Sequence, residues 1–399
     1  MKRFIGAILV VLLVTFPRCA GRAGEVRLSF TGDIIMHMPV KMCARAHNEP
    51  GTQPHQSRNN RGFDFLFERI RPVFSDSDMV VGNMEFPVVP PFTSKPKIFN
   101  CEPDVLSAMK KAGFHVMHIA NNHILDQGEA GVVSTMRYLR AYGLDYLGVG
   151  HNEAEARGGI VRTLRGIRVG LIGYAGYLNY PLPASASGYR LNWLYNRERV
   201  IEDIAAVKKR CDFLIMVAHT GLEYRYRPRE RDRELFKEYL NAGVDCIIGH
   251  HPHVVQPAER VIAQDGRICY IFYSLGNFIS NQSTEGMINI NGVTLTTRDS
   301  IIVRCILSKS FVGRQLDVCY EIVPIFTRNA INGATGRREI QTVLVDDEIN
   351  ALRSVLSASS GEERVDIERR LTFLYQKSEA VKAAVFDGSD LKEVTFKYR

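Results

Sequence analysis

The sequence has no Cys-x-x-Cys spacing among its eight cysteines, no internal repeat and no low-complexity tract. Its one long apolar run, residues 5–16, is shorter than the roughly 20 residues of a comfortable membrane span. The missing cysteine spacing argues against a thiolate metal site and a redox motif, and a disulfide framework is not expected. Cys211, Cys246, Cys269, Cys305 and Cys319 lie in or beside apolar strand-like runs and read as small hydrophobes. A single bond, such as Cys43 to Cys101, stays open in an oxidising compartment. There is also no recognition-helix pattern and no interleaved aromatic platform, and the basic residues are scattered, so nucleic acid is set aside as a partner. With 45% hydrophobic and 24% charged residues over 399 positions, nothing suggests disorder. A net charge of +8 and a pI near 9.0 fit an acidic partner: a phosphate ester, an anionic polymer or lipid head groups.

A basic start at residues 1–3, the apolar run and the small residues of 19–24 form a signal-peptide pattern, with Gly21-Arg22-Ala23 as a cleavage context. We expect residues 1–24 to direct export across a bacterial inner membrane, placing the chain in the periplasm or cell envelope. An uncleaved N-terminal anchor remains open, and membrane contact is expected only through that segment. Arg18 before Cys19 fits poorly with lipoprotein processing.

Beyond the leader the pattern alternates. Strands are expected over 26–31, 79–81, 116–120, 146–149, 169–172, 213–217, 246–248 and 269–273, and helices over 63–74, 103–112, 129–142, 197–209 and 229–240. This is an α/β core with mostly parallel strands. Runs 300–307 and 318–326 follow without a helix between them and read as antiparallel strands. We divide the chain into the leader, a core domain over 25–328 and a mainly helical C-terminal extension over 329–399.

The strand ends carry the chemistry. They run into Gly32-Asp33, Gly82-Asn83-Met84-Glu85, Asn121-Asn122-His123, His219, Gly249-His250-His251-Pro252-His253 and Gly276-Asn277. In α/β sheets the carboxyl ends of the strands converge on the ligand site, so these residues should meet. Carboxylate, carboxamide and imidazole suit a divalent ion such as Mn²⁺, Zn²⁺ or Fe²⁺. One or two such ions could hold a phosphate-like group, a carboxylate or an amide, and the residues alone do not choose among these.

Six ordered motifs within 26–279 together resemble the CapA, or poly-γ-glutamate capsule synthesis, family: Phe30-Thr-Gly-Asp33, Gly82-Asn-Met-Glu85, Ala120-Asn-Asn-His123 with Asp126 and Gly128, His219-x-Gly-x-Glu-Tyr224, Gly249-His-His-Pro-His-Val254 and Ser274-Leu-Gly-Asn-Phe278. The resemblance implies a calcineurin-like metallophosphatase fold, a four-layer α/β/β/α sandwich. It implies metal ligation by Asp33, Glu85, Asn122, His219, His251 and His253. His123 would be the proton donor or oxyanion stabiliser, with Asn122 beside it and Glu223 orienting His219 or meeting substrate. Asn83, His250, Arg225 and Asn277 are candidates to contact substrate or shape the site. Where the wider superfamily has histidine two residues after the first aspartate, this sequence has Ile35, with His37 the nearest histidine.

Other readings of these residues are weighed alongside. Asp33 and Asn122 could cap turns, and Glu85 could be a surface carboxylate. His115 and His118 read as structural, His47 and His55 as solvated, and His37 is undecided. Two functions follow. The favoured one is an exported metal-dependent hydrolase or transferase acting on an anionic polymer, such as poly-γ-glutamate, or on a phosphoester through metal-bound hydroxide, with Arg225–Arg233 as a substrate-facing edge. The other is a non-catalytic accessory subunit that binds polymer beside membrane proteins of capsule synthesis or export.

Overall fold

The structure is a computed structural model that describes residues 24–50, 58–182, 188–283, 285–309, 316–389 and 391–397. The expected leader up to residue 23 and His55 lie outside these residues. No helix among the described residues is long and apolar enough to cross a membrane.

Fifteen strands build two facing sheets: β1 (Val26–Ile34), β2 (Met79–Met84), β3 (Val116–His118), β4 (Asp145–Leu147), β5 (Ile160–Leu164), β6 (Ile167–Ala175), β7 (Phe213–His219), β8 (Cys246–His250), β9 (Ala258–Ile262), β10 (Ile268–Phe272), β11 (Asn277–Ile279), β12 (Asp299–Lys309), β13 (Leu316–Ile331), β14 (Arg338–Leu344) and β15 (Val394–Phe396). The first sheet has the order β14-β13-β12-β1-β2-β3-β4, with β11 beside β1 and β15 beside β13. The second has the order β9-β10-β8-β7-β6-β5. The strands β1 to β4 pair in parallel, as do β6, β7, β8 and β10.

The near-continuous apolar runs of the central strands are explained by burial on both faces. In β7, Phe213, Ile215 and Val217 face the core between the sheets, while Leu214, Met216 and Ala218 face an outer helical layer. The strands β2, β8 and β10 divide their side chains in the same period-two way. Helices α1 (Met38–Ala46), α2 (Asp104–Ala112) and α3 (Gly128–Ala141) lie on the first sheet, and α4 (Arg197–Lys208) and α5 (Glu230–Ala242) on the second. The layer order is α/β/β/α, as expected.

The division at residue 328/329 falls inside β13, which continues to Ile331 before β14 pairs back antiparallel to it. The chain end supplies β14 and β15 to the first sheet. It also adds α6 (Val345–Leu356) and α7 (Gly361–Phe386), the latter docking Ala380, Val381, Ala384 and Val385 against the core between the sheets. The C-terminal segment therefore shares sheet and core with the preceding residues. Cys43 and Cys101 are both free and buried, which removes the bond left open between them.

Candidate metal centre

Both sheets end at the site. Asp33 lies near the end of β1, Glu85 follows β2 and the Asn122–His123 segment follows β3, while His219 closes β7 and His251 and His253 follow β8. All are buried, and His123, at 8% exposure, is the most accessible of them. Glycine permits the close approach of strands here. A Cβ on Gly32 would stand 1.9 Å from the carbonyl oxygen of Gly276, and one on Gly249 would stand 2.0 Å from that of Tyr273.

The His-His-Pro-His turn is strained as well as polar. His251 has φ 100° and His253 φ 61°, a region L-residues seldom adopt. The strain is held by the surroundings: the His251 N–H donates to Asp33 Oδ2 at 3.3 Å, and His253 Nδ1 lies 3.0 Å from both Asp33 Oδ2 and Asn277 Oδ1. Asn83 Nδ2 donates to Asp33 Oδ1 at 2.7 Å and to His219 Nδ1 at 3.1 Å, and its Oδ1 faces His118 Nδ1 at 3.2 Å. With Nδ1 of His219 accepting, its Nε2–H points to Asn122 Oδ1 at 2.8 Å.

Glu85 stands in the middle. Neither of its carboxylate oxygens has a hydrogen-bond partner, although Oε1 lies 3.8 Å from His219 Nε2 and 3.9 Å from Nε2 of both His123 and His253. A fully buried carboxylate with orphaned oxygens is costly unless something positive sits against it. Burial pushes its carboxyl well above the ordinary range, and the Asp33 carboxylate adds to this, while His253 opposes it. For Asp33, burial works upward too, yet the hydrogen bond and charge of His253 keep it below its usual value. His253 is held up to about 9, since Glu85 and Asp33 outweigh its burial. His251 is pushed down to about 3 by burial and by the His253 charge, and burial also holds His219 well below the histidine range. In effect the His253 proton supplies the positive charge between two carboxylates.

Asp33, Glu85 and His253 bring donor atoms within 4.8 Å of one another and fit a divalent cation. Asn122, His219 and His251 form a second donor set, with His219 Nε2 at 2.8 Å from Asn122 Oδ1, 3.2 Å from His251 Nδ1 and 3.8 Å from Glu85 Oε1. The residues expected to ligate thus lie together. His123 borders them, with Nδ1–H donating to Asp126 Oδ2 at 2.8 Å and its ring 4.2 Å from that of Phe99.

Several expectations need correction. Asn83 is wholly buried and braces Asp33 and His219, so it orients ligands and does not face substrate. His250 is turned between the sheets, its Nε2 bonded to the carbonyl of Thr31 at 2.9 Å. Glu223 is exposed and is not among the hydrogen-bond partners of His219, which are Asn83, Asn122 and His251, so it does not orient that ring, although its charge acts on Glu85 and His253 and the alternative of meeting substrate is not contradicted. Arg225 is exposed with its carbonyl accepting from Gln256, and since no ion pair holds its side chain among the described residues, its expected contact with substrate is not contradicted. The rest of the arginine run is paired internally: Arg227 with Asp387, Arg229 with Asp232, and Arg233 with Glu230 and Glu259. Asn277 shapes the site, holding His253 through Oδ1 and Ser280, Gln282 and Thr297 through Nδ2. His37 faces the backbone N–H of Asn281, Ile35 is buried on the helical side, and His118, read as structural, supports Asn83.

Two residues were missed. Asp126 has a signal, since it lies three positions after His123 in the same motif. Asn179 has none: it is an exposed loop residue whose Oδ1 accepts from Asn122 at 3.2 Å and whose Nδ2 lies 3.3 Å from His123 Nδ1.

Fold and donor set define an α/β/β/α protein with carboxylate, carboxamide and imidazole donors buried together at its strand ends. The chain belongs to the family of bacterial capsule synthesis proteins PGA_cap, whose sequence profile matches residues 27–282. It is 31% identical over 312 residues to the PGA biosynthesis protein CapA of Bacillus subtilis, covering 74% of this chain and 70% of that one. It is 30% identical over 274 residues to the capsule biosynthesis protein CapA of Bacillus anthracis, covering 65% of this chain and 60% of that one. Among solved structures, a hypothetical protein from Thermus thermophilus aligns over 75% of this chain and 99% of its own, at 13% identity and a TM-score of 0.41. The layer order rests on the strand pairing described above.

Proposed function

We propose that this protein is a metal-dependent hydrolase or transferase of the cell envelope that acts on poly-γ-glutamate or a related anionic polymer. The observation that carries the reading is Glu85, a buried carboxylate with two unpartnered oxygens set among three histidines and beside Asp33. Asp33, Glu85 and His253 would hold one divalent cation, with Asn122, His219 and His251 as the second donor set. Such a cation would supply Lewis acidity toward a substrate oxygen and acidify a water molecule.

The protein's own groups do the rest. Asp126 fixes the Nδ1–H of His123 and stabilises the ring when it is cationic, leaving Nε2 directed at the centre. From Nε2 the ring can give a proton to a leaving nitrogen or oxygen. Phe99 covers one face of that ring and keeps water from it. Asn83 and Asn277 hold the ligand side chains in place without meeting substrate, and burial of the whole set strengthens each charge interaction there.

The assignment to poly-γ-glutamate draws on the family and on the names of the two Bacillus relatives. Elemental analysis after purification without chelator tests the metal claim: bound transition metal that is lost in Asp33→Asn and His251→Ala supports it. No metal bound, and none taken up from Mn²⁺ or Zn²⁺, would leave the alternative of a polymer-binding accessory subunit, which the buried Ile35 in the usual histidine position favours.

A further inference from the structure

We infer that the turn at residues 94–98, with the groove between it and α1, is a subsite for the carboxylates of a polyanionic chain whose reacting link lies at His123. This rests on the polymer reading above and names where the polymer is gripped.

The turn is closed by paired backbone hydrogen bonds between Lys95 and Ile98, at 2.9 and 3.0 Å, and it presents Lys95 and Lys97 to solvent. Neither lysine is engaged in an ion pair among the described residues. The turn is nonetheless anchored from below. Lys41, wholly buried in α1, donates to the carbonyls of Phe92 and Asn100 at 3.1 and 2.9 Å and to Ser94 Oγ at 3.3 Å. The Asn100 side chain grips both backbone groups of Val89, at 3.1 and 2.8 Å. A buried ammonium spending its hydrogen bonds on one segment makes that segment a fixed platform.

The platform leads straight to the reacting group. The segment continues into Phe99, whose N–H donates to Asp126 Oδ2 at 2.5 Å and whose ring covers His123. A groove of about 310 Å³ adjoins the start of the turn at Ser94, lined by Arg45, Arg61, Lys41, Phe92 and Glu102, and Lys95 and Lys97 follow just beyond its edge. Arg45 and Arg61 are half-exposed and pair with Glu102 and Asp104, Glu102 being shared with Lys41, so these three cations face two carboxylates and Lys95 and Lys97 add charge that no ion pair offsets among the described residues.

Lysine suits a flexible polyanion. Its ammonium is a compact, mobile point charge that tolerates variable spacing along the chain, and because it accepts carboxylate and phosphate alike the choice of carboxylate comes from the polymer reading. In the dense arginine run at 225–233, Arg227, Arg229, Arg231 and Arg233 all pair with carboxylates, which leaves Arg225 as its one member without an ion pair among the described residues.

The test uses the purified full chain and fluorescent poly-γ-glutamate, read by anisotropy at low and at high salt. For Lys95→Gln/Lys97→Gln we expect binding weakened about fivefold to tenfold at low salt and a shallower salt dependence. Arg370→Gln/Lys382→Gln on α7 should bind like wild type. Equal binding by wild type and the lysine variant, with unchanged melting curves for both, would overturn the subsite while leaving the polymer reading intact. Lys95→Ala/Lys97→Ala serves if the glutamine variant does not fold. Polyphosphate bound in place of polyglutamate, and lost in the lysine variant, would overturn the carboxylate assignment. Failure of wild type to bind polyglutamate at any salt would overturn the polymer reading, and the subsite with it.

Discussion

Loading the centre with metal should be strongly pH-dependent, and in a definite direction. His253 is held up to about 9 because Glu85 and Asp33 press on it from either side. A cation binds the unprotonated imidazole, so below that value the proton competes for the site. Two pH units below it, about 1% of the rings are free, a penalty of about 2.7 kcal/mol. The apparent association constant should therefore rise about tenfold per pH unit, and about a hundredfold from pH 6.5 to pH 8.5. The slope steepens if Glu85, also raised, gives up a proton. Calorimetric titration of metal-free protein with Mn²⁺, in two buffers of different ionisation enthalpy, yields both the constant and the number of protons released. An affinity that changes less than about threefold over that range, with no proton released, would refute the reading of His253 as the stand-in for the cation.

Other consequences can be measured separately. Asp126→Asn should lower turnover of polymer about a hundredfold or more while leaving metal content unchanged, because the aspartate holds the His123 ring and the Phe99 N–H but none of the expected ligands; a matching loss of metal would show that the aspartate acts on the ligands instead. Lys41→Met removes the donor to three acceptors and leaves the buried Glu102 with Arg45 alone, so urea unfolding should show a loss of about 3 to 5 kcal/mol; a loss below about 1 kcal/mol would contradict the anchoring role. Burial, with the charges of His253 and His123, depresses His37 to about 4 against an unfolded value near 6.5. Its contribution is therefore complete above pH 6.5 and lost as pH falls toward 4, so relative to wild type His37→Gln should gain about 2.5 kcal/mol of stability between pH 7 and pH 4.5. Gly32→Ala sets a methyl against the Gly276 carbonyl and should yield insoluble or metal-free protein, whereas a soluble variant with normal metal content would show that the strands can part there.

The strand endings were legible because each interrupts an apolar run with residues that do not belong in a core, and a sheet buried on both faces leaves only its ends for chemistry. The same logic misplaced Asn83 and His250. A strand-end residue can face substrate or brace the groups behind it, and that choice depends on which polar atoms lie opposite, here the Asp33 carboxylate and the Thr31 carbonyl. The arginine run held a signal of its own: Glu230 and Asp232 alternate with the arginines and pair with Arg233, Arg229 and Arg231, while Asp387 and Glu259 from distant segments take Arg227 and Arg233. Lys41 gave no warning, since a lysine in a short helix is normally solvated. Its burial depends on acceptors more than fifty residues away. The strands of the chain end were hidden because β14 carries polar residues on an edge and β15 is three residues long.

The donors come from both sheets, and this ties the centre to the packing of the whole sandwich. Asp33, Glu85, Asn122 and His123 belong to the first sheet and His219, His251 and His253 to the second, so their spacing is set by how the sheets face each other. The His250 bond to the Thr31 carbonyl and the Asp33 bonds to His251 and His253 cross that gap directly. Between them the sheets meet through large apolar side chains such as Phe30, Tyr270, Phe272 and Tyr320, which do not fix spacing to the accuracy a metal site requires. Buried polar contacts with directional geometry do, which explains why an otherwise apolar interface keeps an expensive layer of histidine, asparagine and carboxylate at one end. A cation joining Asp33 and Glu85 to His253 would cross-link the two halves of the fold, so the groups that make the site reactive would also hold the sheets in register.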